Sequence, residues 1–173
     1  MESFKLGRAF TFSMPEGQMK LEQIGIVRSP YDSREGVPIQ NTFSESEGQI
    51  ELFEDFSEGI RALDGFTHAY ILYWFHLSEG FSLSVTPFMD TESRGLFSTR
   101  APKRPNPIGL SIVEIQRVEG NVVHVKGLDV VDGTPLIDIK PYFGSIDPRP
   151  DASDGWATGK IGTAHVSDDR FSG

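Results

Sequence analysis

Arg94, Arg100, Lys103 and Arg104 are the part of this chain most suited to chemistry, and no acidic residue follows them before Glu114. The last three sit in Thr99-Arg100-Ala101-Pro102-Lys103-Arg104-Pro105-Asn106-Pro107-Ile108-Gly109-Leu110-Ser111. Each proline fixes φ and removes a backbone N–H, so this stretch can be neither helix nor central strand. It reads as a stiff, extended loop with a turn near Asn106 and Gly109. A preformed loop loses little entropy on binding. Cations kept on a chain of net charge −9 point to an anionic ligand at that place. The plainer alternative is a solvated loop whose arginines pair with nearby carboxylates.

Acid–base residues are few. His76 closes the apolar run Thr67–Leu77, where it is either a satisfied structural histidine or a ligand-bonding group and base. Asp132 opens Asp132-Gly133-Thr134-Pro135, a turn signal that equally fits a ligand contact. Asp138 stands two residues from Lys140 and reads as a strand-face ion pair or a second base candidate. Gly36-Val37-Pro38-Ile39-Gln40 is a Gly/Pro-shaped loop able to offer backbone groups. Other chemistries lack their motifs. The chain has no cysteine, which removes disulfides, thiolate ligands and cysteine nucleophiles. No G-x-G-x-x-G, H-E-x-x-H or G-x-S-x-G is present, and no metal is expected. Gly155 to Lys160 falls one residue short of a P-loop, with Ile161 where a magnesium-binding hydroxyl belongs.

These residues need elements to position them. The chain has 173 residues, 38% hydrophobic and 11% aromatic, enough for one domain with a real core. Strands are read at 21–27, 49–53, 67–77, 81–87, 108–118, 121–131 and 136–140, with one short helix at 56–63 capped by Ser57. Thr67–Leu77 is apolar on both parities, as a strand buried on two faces would be. In 136–140, Ile137 and Ile139 share one face, and Asp138 and Lys140 the other. Short strands with turns at intervals of about ten residues favour an all-β barrel or sandwich with short helices and long loops. Residues 1–19 read as an N-terminal arm, 20–146 as the domain and 147–173 as a tail packed back by Trp156. The N-terminus carries no signal-peptide pattern, and the longest apolar run, Ala69–Phe75, is short of a membrane span. The expectation is a soluble, cytoplasmic protein.

Taken together, several segments resemble the TsaA-like (TrmO) family. They are Ile24-Gly25 with Ser29-Pro30-Tyr31, then Gly36 to Gln40, then Leu63-Asp64-Gly65-Phe66 through Trp74-Phe75-His76. Gly95 to Ser111 follows, and then Leu128 to Pro135 through Asp138-Ile139-Lys140-Pro141-Tyr142. The resemblance runs from about Leu21 to Tyr142, in the family's order, with Gly155-Trp156 as a C-terminal echo. It implies a small single-domain β-barrel that works as a homodimer. It implies S-adenosylmethionine as cofactor and methyl transfer to the N6 nitrogen of threonylcarbamoyladenosine beside the tRNA anticodon. Cofactor contacts then fall on Pro38, Ile39 and Gln40, on Phe75 and His76, on Arg100 and Leu110, and on Asp132, Gly133, Thr134 and Pro135. The family's longer bacterial members continue into a further C-terminal domain, so the resemblance speaks more directly to the cofactor than to the tRNA.

The residue chemistry is compatible with that expectation. Arg100 is able to pair bidentately with a carboxylate, and Phe75, Leu110 and Ile39 to enclose an adenine. His76 and Asp138 are the candidate bases for the nitrogen proton, and Lys103 and Arg104 the candidate phosphate contacts. Two other readings stay open. One is a non-catalytic barrel that binds an anionic ligand or RNA through residues 94–111. The other is a hydrolase using His76 with Asp132 or Asp138.

Overall fold

The computed structural model describes residues 10–14, 17–38 and 44–162. Its centre is a closed antiparallel barrel of β3 (Gly25–Arg28), β4 (Glu47–Leu52), β5 (His68–Trp74), β8 (Ile108–Glu119), β9 (Val122–Lys126) and β10 (Thr134–Pro141). Around the barrel the strands run β10-β3-β4-β9-β8-β5, and β5 closes on β10. Two hairpins stand outside it: β1 (Phe10–Met14) with β2 (Gly17–Leu21), and β6 (Ser84–Val85) with β7 (Arg94–Gly95). The arm read at 1–19 therefore contains a hairpin whose second strand runs on to Leu21, and residues 1–9 lie outside the described set.

Alternating burial builds the core. Along β5, Ala69, Ile71 and Tyr73 point inward and are buried, while His68, Tyr70, Leu72 and Trp74 are half-buried. Val113 and Ile115 of β8, Val123 and Val125 of β9, and Ile50 and Leu52 of β4 meet them. Side chains thus fill the interior, as a barrel of this size requires. Leu128 and Val130 plug one end from the β9–β10 connection; Ile60 and Leu63 belong to the same core from the β4–β5 connection.

Several details differ from the sequence reading. The strand read at 121–131 ends at Lys126, and residues 127–133 form a connection. β5 is not buried equally on both faces: its outer residues are only half-buried, and Tyr142, just after β10, packs at a tilt against Tyr70 with centroids 5.5 Å apart. The helix read at 56–63 is a tighter 3-10 turn over Glu54–Ile60, and Ser57 lies inside it, donating to the Glu54 carbonyl at 2.7 Å. The strand read at 81–87 shrinks to Ser84–Val85, because its ladder partner is only Arg94–Gly95. In β10 the register shifts between Leu136 and Asp138, so that Leu136 opposes Tyr73 and Ile139 opposes Ile71. Leu136 is fully buried and Ile139 packs on the core, so both face inward although three residues apart. Ile137 is the residue the bulge sets aside; Asp138 and Lys140 do share a face, 2.7 Å apart.

Among the described residues no helix is long and apolar enough to cross a membrane.

Candidate ligand-binding rim

Strand direction decides where the motifs meet. Because neighbours are antiparallel, β3, β5 and β9 all end at the same rim where β4, β8 and β10 begin. That rim therefore collects the β3–β4, β5–β8 and β9–β10 connections. Every described site residue singled out in the sequence lies there or at the strand ends beside it, except Asp138. Asp138 opposes Leu72 in the middle of the β10–β5 ladder, pairs with Lys140 and accepts the Ile139 N–H at 2.9 Å. The structure does not bring it to the rim. Pro38 is half-buried at the rim, whereas Ile39 and Gln40 lie outside the described residues.

Cross-links hold the three connections together. Arg34, from the β3–β4 connection, donates to the Leu77 carbonyl in the β5–β8 connection. The Asp132 amide donates to the Tyr31 carbonyl at 2.8 Å, and the Ser29 amide to Asp132 Oδ1 at 3.0 Å. Arg28 stands 3.7 Å from the other Asp132 oxygen. The Ser29 hydroxyl reaches the Val130 carbonyl at 2.6 Å. Asp132 thus ties the turn to the end of β3. Gly133 takes φ +76°, which favours glycine, and Thr134 is buried with its hydroxyl on the Val131 carbonyl at 2.6 Å. The side-chain oxygens of Asp132 and Thr134 are engaged in building the turn, so this segment offers a ligand mainly its backbone.

At the end of β5 the Phe75 amide donates to the Pro107 carbonyl at 2.8 Å, which seats the proline loop against the strand. Phe75 is half-buried and packs edge-on to Tyr73, with centroids 5.3 Å apart. His76 is exposed, yet partial desolvation of its ring, aided by the Arg34 charge and opposed by a hydrogen bond with the Trp74 backbone, keeps it below the ordinary histidine value. It is therefore mainly neutral near pH 7 and able to accept a proton.

The proline loop is less cationic to the outside than its composition suggests. Arg94 binds Asp90 at 2.8 Å and Glu92 at 2.7 Å, and its guanidinium lies over the Trp156 ring. Arg104 donates to the Thr99 carbonyl at 2.9 Å and the Ala101 carbonyl at 3.4 Å, and lies over Phe97. Arg104 therefore grips the backbone on both sides of Arg100, whose side chain is exposed at the rim. Lys103 is half-buried, and Leu110 is 59% exposed on β8.

Two groups of residues were not legible as site elements. Tyr73, Ser111 and Asp129 form a hydrogen-bonded chain beneath the rim, with Tyr73 Oη 3.0 Å from Ser111 Oγ and Ser111 Oγ 2.6 Å from Asp129 Oδ1. Strand parity alone places Tyr73 and Ser111 inward; nothing in the sequence announces their link to Asp129. The second group straps the C-terminal segment to the insertion before the loop. Trp156 Nε1 donates to the Ser98 carbonyl at 2.8 Å, and Lys160 Nζ lies 2.7 Å from Asp90 Oδ1.

Lys160, then Arg94 and the amides of Glu92 and Thr91, hold the Asp90 carboxyl well below the usual carboxylate range, against the desolvation of a side chain only 3% exposed. A depressed native value means stability that is complete above the unfolded value, about 4, and lost as pH falls below it. Thermal melts from pH 6 to pH 3 should show wild type losing stability more steeply below about pH 4 than Asp90→Asn. Parallel curves would remove Asp90 as the source.

With this geometry in place, the comparisons are informative. Residues 26–148 match the model of the tRNA-methyltransferase O N-terminal domain. A probable S-adenosyl-L-methionine-binding protein of Methanothermobacter thermautotrophicus is 43% identical over 134 residues, covering 78% of this chain and 97% of that protein. A tRNA (adenine(37)-N6)-methyltransferase of Escherichia coli is 38% identical over 149 residues, covering 80% of this chain and 63% of that one. The crystal structure of TrmO from Pseudomonas aeruginosa superposes with a TM-score of 0.68 at 32% identity, covering 80% of this chain and 62% of that chain. The chain thus spans less than two thirds of those two longer relatives.

Proposed function

Since this chain belongs to the family of the tRNA-methyltransferase O N-terminal domain, we propose that it binds S-adenosylmethionine at the rim and transfers its methyl group to an adenine N6 in tRNA. The adenosine we assign is the threonylcarbamoyl-bearing one beside the anticodon. The observation that carries the reading is the convergence of three connections at one rim, with Arg100 braced there by Arg104.

The residues present fit such a cofactor. Its carboxylate suits Arg100, a permanent cation with a planar set of donors. Its adenine suits the half-buried Phe75 and the exposed Leu110, and its polar groups suit the backbone of 132–135. When bound, S-adenosylmethionine supplies a methyl group on a sulfonium. The chain's own contribution is placement: rim groups that hold the acceptor nitrogen in line contribute several kcal/mol through orientation. His76, kept neutral, is positioned to take the nitrogen proton as it leaves. Lys103, and Arg104 through its remaining donors, are the contacts we assign to tRNA phosphates.

We further assign a homodimer and a cytoplasmic setting. Leu77, Phe81, Leu83, Phe97, Ile108 and Leu110 are large apolar residues exposed between the end of β5 and the start of β8. Exposed apolar side chains of this size, carried by the same connection as the site residues, are what a second copy would cover.

Calorimetric titration of S-adenosylmethionine into wild type and Arg100→Ala tests the reading. Saturable binding that the variant weakens by tenfold or more, about 1.4 kcal/mol, followed by labelled methyl on tRNA, is the expected result. A folded wild type that binds no S-adenosylmethionine would overturn it in favour of an anion-binding barrel.

A further inference from the structure

Residues 156–160 lie beyond residues 26–148, which carry the family match, yet they are fastened to the chain that leads into the proline loop. Trp156 Nε1 donates to the Ser98 carbonyl at 2.8 Å, and the Arg94 guanidinium lies 5.5 Å from the ring centroid. A cation over the ring face adds to the hydrogen bond in fixing the indole. Arg94 is itself held by Asp90 at 2.8 Å, and Lys160 reaches the other Asp90 oxygen at 2.7 Å. The Asp90 side chain is only 3% exposed, and the amides of Thr91 and Glu92 also donate to it. A buried carboxylate with these donors is a firm anchor, because removing a partner leaves buried charge uncompensated. The segment is thus fastened twice, at Trp156 and at Lys160.

The tie at Trp156 falls on the main chain two residues before Arg100. The carbonyls of Ser98, Thr99 and Ala101 accept side-chain donors, the first from Trp156 and the other two from Arg104. The two donors act differently. Arg104 comes from within the loop, so it sets the loop's shape and not its place. Trp156 comes from 58 residues away and ties the loop's entry to the rest of the molecule. The buried Leu96 seats the same turn, but apolar burial is non-directional, whereas the bond to the Ser98 carbonyl has a direction. The loop's exit is tied separately, by the Phe75 amide on the Pro107 carbonyl at 2.8 Å. Arg100 stands between these two ties, exposed at the rim. Pro102, Pro105 and Pro107 stiffen the stretch after it, so a shift at Ser98 is taken up at Thr99 and Arg100.

We propose that Trp156 is a positioning residue for ligand binding: by holding the Ser98 carbonyl it sets where the Arg100 backbone stands when its guanidinium meets the carboxylate of the cofactor. A bidentate guanidinium–carboxylate pair needs both donors in place, so a displaced backbone weakens it. This inference rests on the cofactor reading above. It adds that residues 156–160, outside the barrel and outside the matched domain, complete the binding rim by acting through the main chain of the proline loop.

The test compares S-adenosylmethionine with decarboxylated S-adenosylmethionine, which lacks only the carboxylate. Affinities are measured by calorimetry for wild type, Trp156→Phe, Arg100→Ala, the double variant and Lys160→Met, each below its own melting transition. Trp156→Phe keeps a ring beside Arg94 and loses only the N–H donor. It is expected to weaken S-adenosylmethionine by about fivefold, the scale of one hydrogen bond, and the decarboxylated ligand by less than twofold. Added to Arg100→Ala, it should change S-adenosylmethionine affinity by less than twofold, since both changes act on one interaction. Lys160→Met loosens the same segment from its other end. It should show the same ligand selectivity with a smaller loss, and it replaces Trp156→Phe if that variant does not fold. No loss, equal losses for both ligands, or a loss that persists undiminished without Arg100 would overturn the proposal while leaving the cofactor reading intact. A wild type that binds both ligands equally removes the carboxylate contact and this proposal, whereas one that binds neither removes the cofactor reading itself.

Discussion

Leu128→Ala is expected to lose about 2–5 kcal/mol of folding stability and, unlike other core truncations, to weaken S-adenosylmethionine binding as well. Leu128 is fully buried although it lies in a connection, not in a strand. Its side chain closes the rim end of the core. Its carbonyl accepts hydroxyls from Ser44 and from Ser46, the latter at 2.8 Å, which ties the β9–β10 connection to the chain entering β4. Asp129 follows it directly. Removing the side chain leaves a cavity directly under the residues assigned to the ligand. Ile71→Ala is the control, because Ile71 is equally buried but sits in the middle of β5. Denaturant unfolding should give both variants losses of the same order, while calorimetry should show a lower affinity only for Leu128→Ala. Equal affinities in the two would disconnect the plug from the site.

The second large effect is at Gly109, on β8 opposite Tyr73. A Cβ there would fall within the Tyr73 ring, because the ring lies flat across the glycine. The ring cannot swing away cheaply: it is buried, its hydroxyl is held by Ser111 and Phe75 packs on its edge. Gly109→Ala should therefore cost about 1–3 kcal/mol by overpacking. Tyr73→Leu in the same chain should recover part of that loss, so the double variant is less destabilised than the sum of the singles. Strict additivity in unfolding experiments would mean that the ring is not what the new methyl meets.

Much of this architecture is written locally, and the exceptions share a physical cause. The barrel strands at 25–28, 47–52, 68–74 and 108–119 follow from alternating or β-rich apolar runs. The rim motifs are legible because prolines, Asp-Gly turns and clustered cations keep their meaning without knowing what they touch. The β10 bulge is not legible, because Leu136, Ile137 and Ile139 are equally apolar and only the register with β5 decides which face inward. The relocation of charge is not legible either. Arg94 and Arg104 look like ligand-seeking cations until Asp90 and the Thr99 and Ala101 carbonyls are brought beside them. Trp156 signals packing, but its partner, the Ser98 carbonyl, is a main-chain group that no side-chain pattern can specify.

The position of β10 has a consequence for how the molecule is made. It lies between β3 and β5, two strands that precede it by long stretches of chain, and it bonds to both. During synthesis the other five barrel strands are available before it, as an open sheet β3-β4-β9-β8-β5 with two bare edges. Such edges invite pairing with other chains, and contacts of this sequence separation form slowly. Residues 134–141 are therefore the closing piece: until they emerge, the nascent protein is at its most aggregation-prone, and once they dock both edges vanish in one step.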